Sequence, residues 1–194
     1  FLHAGQEYGR TKQWLAVGMP EQKYYVFDNK EGQIFGYFIH DSFDASDAIN
    51  RFDWAKATDA VRYPVNHATR EYTAGLVALR KSTNAFRLGN QALINTNVTL
   101  IEAPEMEKCD LVIGYKNKAT DGTGNYYVFV NADSRARTLT LQEDLTTGRV
   151  LADQDEAGTE EVSIRSGFEL TTHSITLDSL TTVIINTMDG SDLA

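Results

Sequence analysis

The chain has 194 residues, enough for one large domain or two small ones with a sizeable core. Its 18 Lys and Arg against 27 Asp and Glu leave a formal charge of −9, which excludes the basic stripe of a nucleic-acid binder and disfavours an anionic membrane surface. A single cysteine, Cys109, excludes an intrachain disulfide, and no apolar run approaches the ~20 residues of a membrane span.

In chain order, the apolar opening Phe1–Ala4 reads as a buried strand running into the turn Gly5-Gln6-Glu7. There is no initiator Met and no signal-peptide charge pattern, so a piece of a longer protein is expected. A long irregular stretch from about Gln13 to Ile39 follows, with seven aromatic side chains from Trp14 to Phe38. An Asp-rich loop, Asp41–Asp53, comes next and contains Asp47 and Arg51 four residues apart. On a helix that spacing is an ordinary surface ion pair worth a few tenths of a kcal/mol. In a loop it is a clamp for adjacent hydroxyl groups, with Asp accepting and Arg donating. Asp41, Asp44 and Asp47 sit at i, i+3 and i+6, which is not the alternation of a calcium loop. No metal site is assigned, calcium lacks support from the ligand spacing, and no cofactor is required.

The strongest helical pattern is residues 68–83, ATREYTAGLVALRKST, with Tyr72, Leu76 and Leu79 on one stripe and Val77 widening it. Arg80 and Lys81 fall in the last turn, where the helix dipole favours cations. Gly89-Asn90 reads as a break and divides the chain at 1–89 and 90–194. From there the texture is β. Seven short runs rich in Val, Ile, Thr and aromatics, separated by polar turns such as DGTGN, predict an antiparallel sandwich. DGTGN lacks the length and the Lys of a phosphate loop. His67 and His173 are isolated, and Asn97-Val98-Thr99 forms a chance-level glycosylation sequon.

Three stretches in this order, FLHAGQEYGRTK, HDSFDASDAINRFDW and YTAGLVALRKSTNAFRLG, resemble the end of the catalytic barrel of type I pullulanases of the α-amylase superfamily, in particular those of streptococci and related Gram-positive bacteria. The likeness covers residues 1–90, and the β half looks like that family's C-terminal sandwich. It implies an α+β fragment: the last βα unit of a (β/α)8 barrel, then an antiparallel β-sandwich. Residues 1–89 would supply the eighth strand, a substrate loop and the eighth helix at about Thr69–Ser82, and residues 90–194 the sandwich.

The implied activity is hydrolysis of α-1,6 links in pullulan, starch or glycogen, with α-glucan and the rest of the barrel as partners. The implied location is extracellular or at the cell surface. In the family the catalytic carboxylates lie on earlier strands, so no catalytic residue is assigned here and the isolated chain is expected to be inactive. His40-Asp41 matches the family's His-Asp motif by letter but falls after the eighth strand. The residues themselves agree: retaining glycosidases need two carboxyls about 5–5.5 Å apart on a rigid frame, and the acids from Glu7 to Asp53 share one strand end and its loop.

By the same resemblance Asp47 and Arg51 take substrate-binding roles, against the alternative of a salt bridge bracing the loop. Trp14 and Glu7 are secondary candidates, one to stack a sugar ring and one to orient. Their plain alternatives are packing and an ion pair with Arg10 or Lys12. Asn50 is expected to tie backbone and Trp54 to pack the loop onto the barrel. Phe43 departs from the Tyr common in the family. The competing reading is a non-catalytic β-sandwich module that binds carbohydrate or protein.

Overall fold

The computed structural model describes residues 2–29 and 31–188. The chain falls into two compact units, Phe1–Arg70 and Glu71–Ala194, and the division lies inside a long helix.

The first unit opens on a 3-10 turn, Gln6–Tyr8, between Gly5 and Gly9, whose positive φ of 91° and 73° suits glycine. Among the described residues, 2–4 hold no strand, unlike the strand expected at the start of the chain. A barrel strand is hydrogen-bonded on both flanks, and no described strand of this unit pairs with these residues.

The stretch expected to be irregular contains an antiparallel hairpin, β1 (Tyr24–Asp28) and β2 (Ile34–Ile39), rich in aromatic and β-branched residues. Asn29 organises its turn by accepting from the N–H groups of Glu31 and Gln33 at 3.0 and 2.9 Å. Residues 12–14 lie along β2. Lys12 C=O accepts from Ile39 N–H at 3.0 Å, and Trp14 N–H donates to Tyr37 C=O at 2.8 Å. Two short helices follow, α1 (Asp47–Asn50) and α2 (Trp54–Thr58), the second capped by Asp53, which accepts from Lys56 N–H at 3.2 Å.

The long helix α3 runs from Pro64 to Ser82, about a turn earlier than its apolar stripe suggests. Proline at the first helical position has a preset φ and no N–H to leave unpaired. At the other end Arg87 donates to the carbonyls of Arg80, Lys81 and Thr83 at 2.9–3.3 Å, satisfying acceptors that a helix leaves open.

The second unit contains α4 (Gln91–Asn97) and two antiparallel sheets. The larger holds β3 (Val98–Leu100), β4 (Val112–Lys118), β5 (Asn125–Asn131), β10 (Thr181–Thr187) and β7 (Arg149–Ala152), in that spatial order. The smaller holds β6 (Arg137–Thr140), β9 (Ser174–Leu177) and β8 (Phe168–Leu170).

Alternation sorts the side chains. Tyr127, Phe129, Val183 and Ile185 point into the core shared with Leu139, Ile175 and Leu177 of the smaller sheet. Tyr126, Val128 and Ile184 point the other way, toward Leu76 and Leu79 of α3 and Ala85 and Phe86 beyond it. Strands β5 and β10 are thus covered on both faces, which is why they read as nearly unbroken apolar runs. Gly75 lets α3 come down on the Ala157 carbonyl, which a Cβ would overlap. Where α3 ends, Asn84 exchanges hydrogen bonds with Thr120 and Asp121 of the β4–β5 hairpin at 2.6–2.9 Å.

Candidate functional site

The loop that carries the predicted sugar contacts is organised by Tyr8, which is fully buried. Its hydroxyl accepts from Asp53 N–H at 3.0 Å, its carbonyl accepts from Asn66 Nδ2 at 2.8 Å, and its ring meets Phe52 edge-on at 5.0 Å. Arg10 adds a second tie, donating to the carbonyls of Ala4 and Ile49 at 2.9 and 3.2 Å. Asn50 closes the loop on itself through the carbonyls of Ser42 and Ala45 at 2.7 and 3.0 Å, the backbone role expected of it. Sequence reasoning missed Tyr8. The one local signal was a Tyr held between two glycines, Gly5 and Gly9.

Asp47 and Arg51 both lie on this loop and both are exposed. Asp47 opens α1, where a carboxylate favours the helix N-terminus. Arg51 is one residue past the end of α1, in extended backbone at φ −59° and ψ 144°. Leaving the helix turns Arg51 off the face that an i, i+4 pair shares. The hydrogen bond between these two residues joins backbone groups, Arg51 N–H to Asp47 C=O at 2.9 Å. Arg51 borders a concavity of about 60 Å³ with Tyr8, Arg10, Gln13 and Lys56. That is space for about two waters.

Glu7 accepts from Gly5 N–H at 2.9 Å and so helps close the opening turn. Trp14 is half-buried, fixed through its backbone to β2, and its indole Nε1 is buried with no acceptor among the described residues. Trp54 is 72% exposed in this chain and rests on Phe52 at 4.5 Å. Phe43 is 94% exposed. Asp41 accepts from Phe43 N–H at 3.0 Å, a local turn contact. Among the described residues no cluster of three or more His, Cys, Asp or Glu is disposed to hold a metal ion.

Residues 97–188 match the family model described as SpuA C-terminal. Over 95% of its length the chain is 43% identical to Pullulanase A of Streptococcus pneumoniae. The chain is a relative of the streptococcal pullulanases. It spans 16% of the length of Pullulanase A.

Solved pullulanase structures agree. The catalytic module of the glycogen-degrading pneumococcal virulence factor SpuA matches with a TM-score of 0.88 at 40% identity, covering 100% of this chain and 29% of that one. The Group B Streptococcus pullulanase SAP in complex with maltotetraose matches at 0.85 and 39% identity, covering 97% of this chain and 26% of that one.

Proposed function

We propose that this chain is the C-terminal portion of a pullulanase-type debranching enzyme that hydrolyses α-1,6-glucosidic links in pullulan, starch or glycogen. The observation that carries the reading is the 43% identity to Pullulanase A over 95% of the chain. In this account residues 1–89 complete the catalytic barrel, with α3 as its last helix, and residues 90–194 form the C-terminal sandwich. The match to the SpuA C-terminal model from residue 97 supports that boundary. The parent acts outside the cell or at its surface.

Catalytic carboxylates come from the rest of the barrel, and the isolated chain does not turn over substrate. Its contribution to the site is Asp47 and Arg51. Two exposed groups of opposite charge, not paired with each other, leave one acceptor and one donor for adjacent sugar hydroxyls. Trp14 and Glu7 stand behind them as secondary contacts. A maltotetraose complex of a relative supports an α-glucan as the ligand.

The test is a graft. The chain replaces the matching segment of S. pneumoniae Pullulanase A, and reducing sugar released from pullulan is measured. The graft is expected to hydrolyse pullulan and the chain alone to match a buffer blank. A correctly folded graft without activity, or turnover by the isolated chain, contradicts the proposal.

A further inference from the structure

The second unit contains a cavity of about 400 Å³ that the site above does not use. This lies within the size range of small-molecule sites. It opens between the β3–β4 end of the larger sheet and the segment after β6. Thr99, Leu100, Ile101, Glu102, Lys116, Gln142 and Glu143 line it.

Its chemistry is selective. Lys116 Nζ lies 3.0 Å from both carboxylate oxygens of Glu143. The Tyr127 hydroxyl donates to the same carboxylate at 2.6 Å, and the ammonium sits 5.0 Å from the Tyr127 ring centroid. Tyr127 is 3% exposed, so the triad is anchored at the floor and open above. The one cation of the lining is neutralised by Glu143, and Glu102 adds a negative charge, in a chain whose net charge is −9. An anionic ligand therefore has no unpaired cation here to meet. What remains is a close set of donors and acceptors: ammonium, carboxylate and the Gln142 amide. Beside it is aliphatic surface from Leu100, which is 64% exposed, and from Ile101. Hydroxyl groups that each donate and accept, on a ring with apolar C–H faces, satisfy both.

We infer that this cavity is a binding site for a neutral α-glucan chain, separate from the Asp47 and Arg51 loop. The choice of α-glucan over other neutral polyols rests on the pullulanase reading.

The experiment titrates maltotetraose into the 15N-labelled 194-residue chain and follows backbone amides. Saturable shifts are expected at residues 99–102, 116 and 142–143. The exposed double variant Thr99→Ala/Gln142→Ala should keep the wild-type spectrum elsewhere and bind about tenfold more weakly (~1.4 kcal/mol). Shifts confined to residues 46–54 would overturn this site and support the loop instead. An absence of shifts at tens of millimolar sugar would overturn it as well, while activity of the Pullulanase A graft judges the debranching reading independently. Equal shifts with glycerol at matched hydroxyl concentration would reduce the cavity to unspecific solvation and also overturn the inference.

Discussion

The backbone N–H of Asp53 donates to the hydroxyl of Tyr8, 45 residues earlier, at 3.0 Å. Asp53 also caps α2, so one phenol fixes the end of the loop that carries Asp47 and Arg51. Tyr8→Phe keeps the buried ring and strands a donor. It should destabilise the first unit by about 1–3 kcal/mol. Both tryptophans of the chain, Trp14 and Trp54, lie in that unit, so intrinsic Trp fluorescence during denaturant unfolding reads it selectively. A midpoint equal to wild type would remove Tyr8 as the organiser of the loop.

Gly75→Ala should destabilise the second unit, although the change normally favours a helix by about 1 kcal/mol. The new methyl would overlap the Ala157 carbonyl, and a backbone group cannot rotate aside. Overpacking of this kind costs about 1–3 kcal/mol, which exceeds the propensity gain. Thermal unfolding followed by far-UV circular dichroism decides the sign. A higher melting temperature would show that α3 does not sit on Ala157.

These two residues also show what the sequence could and could not reveal. The apolar stripe of α3 was visible because Tyr72, Leu76 and Leu79 share one face. The sandwich was visible because β5 and β10 are buried on both faces and rich in β-formers. The hairpin β1–β2 was not visible as strands. Tyr25, Phe27, Ile34 and Phe35 are all at least 50% exposed, so no buried face imposes a period of two. The Asp47 and Arg51 spacing fits a helical ion pair or a loop clamp equally, and nothing local announces that α1 ends at Asn50, one residue before Arg51. The bond from Asp53 to Tyr8 spans 45 residues, and no local pattern announces it.

Glu143 and Lys116 should give a pH-dependent stability increment. Burial pushes Glu143 upward, but the hydrogen bonds of Tyr127 and Lys116 and the nearby ammonium outweigh it and hold the carboxyl below its ordinary 4.5. Burial opposes the Lys116 charge as well, yet Tyr127 and Glu143 raise its pKa above 10.5. A lowered acid stabilises the fold above its unfolded pKa and loses that stabilisation as pH falls through the folded one. A raised base loses its share as pH rises through its folded pKa. Glu143→Gln should therefore lower the melting temperature at pH 7. The gap to wild type should close as pH falls through the folded-state pKa, below which the carboxyl is protonated in both states. A gap independent of pH would contradict the ion pair.

The role of Asp47 and Arg51 in binding glucan is decided by kcat/KM for pullulan of the Pullulanase A graft carrying Asp47→Ala or Arg51→Ala. Each change removes charge-assisted hydrogen bonds to sugar hydroxyls, worth about 1.5–3 kcal/mol. A raised KM and a kcat/KM lower by roughly 10- to 150-fold are expected, with the melting temperature of the graft near its parent value. Kinetics equal to the unsubstituted graft in both variants, with or without a loss of stability, would contradict that role.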